Sequence, residues 1–141
     1  MSSEPRELSR AIRLLGGTGY GRLSATVRAL PFVTLVRHIV AGDSVLMLLH
    51  GGHGYHRACD GSVVAYGADN IGSGTEDVWS VQLVGTARCV DPGERERERL
   101  GPLPRSADGA PFTPAYLRMH PRLTTVHSLH GVPVPGSGQS W

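Results

Sequence analysis

At 141 residues and 15.0 kDa the chain is the size of one domain, able to bury roughly 68–70% of its unfolded surface in a core that needs no staples. A net charge of +2 is too small to imply a polyanionic partner, and no apolar run approaches the roughly 20 residues of a membrane span, so nucleic acid and membrane are not expected partners. All 14 basic residues are arginine, which removes any mechanism requiring a lysine nucleophile, a Schiff base or an ammonium ligand for phosphate. The polar start, Met1-Ser-Ser-Glu-Pro-Arg6, carries no secretory apolar stretch, and the expected location is cytoplasmic. Cys59 and Cys89 have no CxxC spacing and read as two reduced thiols.

A first helix is expected over about residues 4–15. Ser3 can cap it, Pro5 suits its first turn, Leu8, Ala11, Ile12 and Leu15 share one face, and Gly16-Gly17 ends it. Gly21–Val27 then reads as a short strand and Leu30–Val40 as a longer one, with Pro31 marking an edge or a strand start. Gly42-Asp43 turns the chain back into a strand over Ser44–His50. The run His50-Gly-Gly-His-Gly-Tyr-His-Arg57 reads as a glycine-rich loop dense in groups that can bind an anion.

Ser62–Gly67 is the fourth expected strand, followed by a polar connection over Ala68–Asp77. Val78–Val90 is the longest uninterrupted strand signal. Its alternation sets Trp79, Val81 and Leu83 on one face and Ser80, Gln82 and Val84 on the other, so the second face is wet or lines a ligand. Asp91-Pro92 predicts a capped helix over Glu94–Leu100, whose Glu/Arg alternation is a solvated face. After a Pro/Gly/Asp loop over Gly101–Pro114, Tyr116–His120 and Leu123–Leu129 read as two strand segments broken at Pro121, and residues 132–141 as a flexible tail. The fold expected is mainly β: one β-barrel with peripheral helices and about six antiparallel strands over residues 1–131.

The ordered segments Gly21-Arg-Leu-Ser, Leu30-Pro-Phe-Val-Thr-Leu-Val, Leu48-Leu-His-Gly and Trp79-Ser-Val-Gln-Leu-Val-Gly-Thr-Ala together resemble the FMN-binding split-barrel proteins related to pyridoxamine 5'-phosphate oxidase. The resemblance spans roughly residues 5 to 130. It implies a split β-barrel of the FMN-binding type, a homodimer with two FMN sites at the subunit interface, and an FMN-dependent oxidoreductase acting on a small molecule. In the oxidases proper a Ser-Arg-Lys segment clamps the FMN phosphate; here Gly54-Tyr-His-Arg57 stands in that region, where Arg57 would supply the bidentate grip with help from Tyr55, His56 and glycine amides. The tryptophan and arginine pattern expected around a pyridoxal substrate is replaced by His127-Ser-Leu-His130, so pyridoxamine phosphate is not the expected substrate.

Carried onto this sequence, the resemblance gives Val33, Thr34 and Leu35 to the ring, Leu49, His50 and Gly51 to the end of the hairpin, and Ser80 and Gln82 to the phosphate or ribityl chain across the interface. No catalytic residue is singled out. His50, His53, His56 and Cys59 recur every third residue, a spacing that fits neither a helix face nor a strand face, and no metal site is expected. The same histidines, with His127 and His130, leave haem or small-ligand binding without catalysis as the rival reading. A deazaflavin-dependent reductase is the third; such enzymes often hold the phosphate with lysines, and this chain has none. No GxSxG, GxxxxGK or HExxH motif occurs, and basic residues are not interleaved with aromatics.

Overall fold

The computed structural model describes residues 5–134. Helix α1 (Pro5–Gly16) leads into β1 (Tyr20–Val27), β2 (Leu30–Ala41) and β3 (Ser44–His50). Helix α2 (Tyr55–Cys59) precedes β4 (Val63–Asp69) and β5 (Val78–Cys89); then come α3 (Glu94–Leu100), the short strands β6 (Ser106–Ala107) and β7 (Ala110–Pro111), and β8 (Pro114–Leu129). Six strands close in the order β1-β2-β3-β8-β5-β4, every neighbouring pair antiparallel. Closure leaves no sheet edge running the full length of a strand.

Strand alternation explains where the core lies. Leu23, Val36, Val45, Met47, Leu49, Tyr66, Val81, Leu83, Leu117 and Met119 point into the barrel and are buried, and α1 plugs one end with Ala11 and Leu15. A second cluster forms on the outside, where Leu46 and Leu48 of β3 are covered by Leu100 of α3 together with Ile39, Val90, Phe112 and Tyr116. Arg118 of β8 fixes α3 there, one guanidinium nitrogen lying 2.7 and 3.0 Å from the two carboxylate oxygens of Glu96 in a half-buried pair. β3 is therefore buried on both faces, which explains its unbroken apolar run.

Three expectations need correction. The His/Gly stretch is not an extended loop: Gly51–His53 forms a 3-10 turn and Tyr55–Cys59 a helical turn, joined at Gly54 in a left-handed conformation with φ 73°. Asp91 does not cap α3; Gly93 stands at that position without a side-chain bond, while the Asp91 carboxylate pairs with Arg97. β8 also runs through Pro121 unbroken. The pairing register slips between Val84 and Gly85, so that Pro121 faces Gly85 across a bulge that places the missing N–H outside the regular ladder. Of the expected tail, Val132 is held by its N–H to the Glu76 carbonyl at 2.9 Å; residues 135–141, like the Ser3 cap, lie outside the described residues.

The β1–β2 connection carries local strain. Val27 pairs with Leu30, so Arg28 and Ala29 make a two-residue turn, and both lie in the left-handed region with φ 51° and 66°. That region costs a residue bearing a Cβ roughly 1 kcal/mol or more, and less for glycine. Ala29→Gly should raise stability by about 0.5–1 kcal/mol, read as a melting temperature some 2–3 °C higher. An unchanged or lower melting temperature would count against this strain.

Candidate functional site

The barrel is open at one place. β2 pairs with β1 over its first eight residues, from Leu30 to Arg37, but with β3 only over its last five, from Arg37↔Leu48 to Ala41↔Ser44. β3 is paired with β8 from Val45 to His50, so beyond Leu48 it continues on β8 alone, with Leu49 and His50 facing Ala115 and Pro114. The β3-side edge of β2 over residues 30–36 therefore has no strand partner among the described residues. Its stretch Val33–Leu35 borders a cavity of about 510 Å³ on the outer surface of the barrel, beside main-chain groups without a strand partner.

Val33, Thr34 and Leu35 line this cavity from β2, with Leu48, Leu49 and His50 from β3, Tyr55 from α2, and the segment after α3. Val33 and Leu35 stand on the outer face, 61% and 65% exposed, an apolar pair left uncovered among the described residues. Ring contacts run along one wall: Phe112 to His50 at 5.4 Å, His50 to His53 at 5.7 Å, His53 to Tyr55 at 5.4 Å, and Tyr55 stacked on Phe32 at 4.3 Å. A planar ligand would find flat, polarisable surface there and hydrogen-bonding backbone opposite.

The histidines have distinct surroundings. His50 Nδ1 accepts the Thr113 N–H at 3.1 Å, so in its neutral form it carries its proton on Nε2. Its ring lies over Gly52, where a Cβ would come within 2.3 Å of Nε2; the glycine leaves the space that the imidazole occupies. His53 places Nε2 3.0 Å from Asp108 Oδ2. His56 turns away from the cavity and packs beneath Gly51, its Cε1 3.2 Å from where a Gly51 Cβ would sit, and its buried Nδ1 has no hydrogen-bond partner among the described residues. Burial lowers its pKa, and the neighbouring Arg57 charge lowers it further.

The remaining expected site residues are distributed differently. Gly51 is buried at the cavity's end, its N–H bonded to the Thr113 carbonyl at 2.7 Å. Arg57 is exposed on α2, outside the cavity lining, with its guanidinium beside Gly54. Ser80 and Gln82 do lie on the outer face of β5, as alternation required, but they line a separate groove of about 240 Å³ with Arg22, Ser24 and Asp69. Val33 borders both depressions, so cavity and groove form one tract across the outer face of β2, β1, β4 and β5.

Arg37 and the 101–113 segment were not singled out from the sequence. Arg37 Nη1 donates to the Leu100 and Pro102 carbonyls at 3.0 and 2.5 Å, and Nη2 to the Tyr20 hydroxyl at 3.1 Å, closing the cavity beside β2. Its place on the outer face of β2 follows from alternation; its partners do not. His130 is paired with Asp77 at 3.1 Å, and neither it nor His127 lines the cavity. Among the described residues no group of three or more His, Cys, Asp or Glu can hold a metal ion. Cys59 is buried and Cys89 exposed, both free; burial first, and Cys89 nearby, push the Cys59 thiol up to about 11, which keeps it protonated and unreactive.

A six-stranded antiparallel barrel with an outer cleft beside a partly unpaired strand defines a split barrel of the flavin-binding type. The chain belongs to the pyridoxamine 5'-phosphate oxidase family, whose sequence pattern it matches over residues 7–130. Among solved structures it is similar to the FAD-binding protein from Mycobacterium smegmatis, with 23% identity, 86% of this chain and 96% of that one covered, and a TM-score of 0.67. It is also similar to the FAD- and haem-binding protein from Mycobacterium smegmatis (14% identity, 97% and 76% covered, TM-score 0.63) and to the flavocytochrome Anf3 from Azotobacter vinelandii (16% identity, 94% and 74% covered, TM-score 0.62). No curated protein matches the chain. No helix among the described residues is long and apolar enough to cross a membrane.

Proposed function

We propose that this chain is a cytoplasmic, homodimeric FMN-binding flavoprotein and an FMN-dependent oxidoreductase acting on a small molecule. The observation that carries the reading is the unpaired edge of β2 at Val33–Leu35 beside an aromatic-walled cavity. Such an edge offers donors and acceptors in the alternation that the polar rim of an isoalloxazine ring requires. Val33 and Leu35 would pack the ring face, and His50, its Nδ1 held by the Thr113 N–H and its Nε2 over Gly52, would offer the edge of its ring to the cavity wall. Val33 is shared by the cavity and the Ser80/Gln82 groove, and its exposed apolar surface calls for a cover. A second copy of the chain would bury it and bring Ser80 and Gln82 to the ribityl or phosphate end. A bound flavin supplies the two-electron chemistry; the protein's part is to orient the ring and exclude water. Flavin-binding relatives of the same fold support the reading.

Titration with FMN and with riboflavin, read by quenching of flavin fluorescence, tests it. FMN should bind one per protomer. Arg57→Ala should weaken FMN by about tenfold or more, the worth of one charge-assisted phosphate contact, and leave riboflavin unchanged. Absence of FMN binding would overturn the cofactor assignment, and equal losses for both ligands would remove Arg57 from the phosphate.

A second reading is favoured by one observation, the two imidazoles of His50 and His53 on the same wall. Haem bound through one of them would give a Soret band in wild-type protein that His53→Ala or a His50 variant abolishes. A deazaflavin would use the same ring site; the absence of lysine disfavours it.

A further inference from the structure

One side of the cavity is lined by a short excursion of chain between α3 and β8. Both ends of this segment are firmly held. Arg37 binds the Leu100 and Pro102 carbonyls at the first end, while Thr113 at the second is bonded through its N–H to His50 and through its carbonyl to Gly51. Phe112 is packed in the outer cluster. Between these anchors β6 and β7 make only two cross-strand pairs, Ser106↔Pro111 and Ala107↔Ala110, too few to hold a hairpin by themselves in water.

The tip of that hairpin turns at Asp108 and Gly109, both left-handed with φ 53° and 79°. Among the described residues, one side-chain hydrogen bond ties the tip to the turn after β3: Asp108 Oδ2 against His53 Nε2 at 3.0 Å. Among the described residues, the other hydrogen bond between the two anchors, outside the β6–β7 pairing, is internal, from the Phe112 N–H to the Arg105 carbonyl. The His53 and Asp108 side chains are 51% and 76% exposed, so water competes for the pair and it breaks readily. A hairpin with rigid ends, a weak ladder and one exposed side-chain tie at its tip has the construction of a lid and lacks that of a fixed wall.

The geometry points to a gating role: the hairpin Ser106–Pro111 is a flap pinned along one side of the cavity by Asp108 and His53, and ligand exchanges faster when this pin releases. The inference rests on the flavin reading for its ligand, while the pin belongs to the ligand-free protein. The pin acts on the path and not on the bound state, so its removal should speed both directions of exchange together.

Asp108→Gly is the informative variant, because glycine removes the carboxylate yet accepts the left-handed backbone and leaves the turn unstrained. Stopped-flow measurement with FMN should show association and dissociation both faster by about three- to fivefold, the size of one exposed side-chain hydrogen bond. Amide exchange over residues 107–110 of the ligand-free protein should rise by a similar factor. Asp108→Asn, which tolerates the same backbone and keeps an oxygen for the His53 N–H, should restore slower exchange. Unchanged amide exchange in Asp108→Gly would overturn the pin, and faster dissociation alone would overturn it by making Asp108 a ligand contact. Should FMN fail to bind the wild-type chain, the flavin reading falls and amide exchange alone decides the pin.

Discussion

Gly21→Ala is expected to cost about 3–5 kcal/mol, a large share of the roughly 7–15 kcal/mol available to a domain of this size. A Cβ on Gly21 would sit 2.4 Å from the Tyr66 hydroxyl oxygen and 2.5 Å from the Gly67 carbonyl oxygen. Neither neighbour can retreat. Gly67 is main chain in the β1–β4 pairing that closes the barrel, so moving it parts Arg22 from Gly67 along that seam. Tyr66 is fully buried, and its hydroxyl bonds His38 Nδ1, so displacing it leaves two polar groups unsatisfied in the core. Urea unfolding of Gly21→Ala beside Gly19→Ala, whose Cβ meets nothing within 4 Å, measures the difference. Coincident midpoints for the two variants would show that the seam is not close-packed.

The second large effect is acid lability. His38 is buried, with Nε2 3.0 Å from the Leu15 carbonyl and Nδ1 against the Tyr66 hydroxyl, so the neutral ring donates to Leu15 and accepts from Tyr66. Burial lowers its pKa below the ordinary histidine value of 6.5, partly offset by the bonds to Leu15 and Thr18. The unfolded chain then takes up a proton that the folded one refuses. Stability is full above about pH 7 and falls as pH drops through 6.5, with a limiting slope near 1.4 kcal/mol per pH unit for one such group. His56, shifted in the same direction, adds to the effect. Melting temperatures from about pH 8 to pH 5 should decline, and His38→Gln should flatten the curve. A wild-type profile level across that range would sink the neutral, buried assignment.

How far the sequence was readable depended on whether the signal was local. The alternation in Val78–Cys89 put Ser80 and Gln82 outside and Val81 and Leu83 inside, and the Gly42-Asp43 turn set the Ala41↔Ser44 register. Apolar spacing in α1 put Leu8, Ala11, Ile12 and Leu15 on one face, of which Ala11 and Leu15 are buried against the barrel. Pro121 misled because a proline in a strand is read against its own segment. Its tolerance comes from the bulge opposite Gly85, where a Cβ would approach the His120 carbonyl oxygen to 2.2 Å. The histidine-rich stretch, read as a loop, hid its course for the same reason. A 3-10 turn followed by a helical turn sends His50 and His53 to the cavity and His56 beneath Gly51, a divergence that spacing alone does not encode.

The order of strands, the two peripheral helices and the family likeness follow from the amino-acid sequence, because each rests on patterns that repeat within a few residues. The cavity does not. It exists because β3 parts from β2 at Leu48 and leaves the edge over Val33–Leu35 unpaired, a matter of register among β2, β3 and β8. The wall at Asp108, 55 residues from His53, and the seating of Arg37 on the end of α3 are likewise contacts between distant segments. Pairing of that kind is decided by closure of the barrel as a whole, where each strand's position is fixed by both neighbours at once.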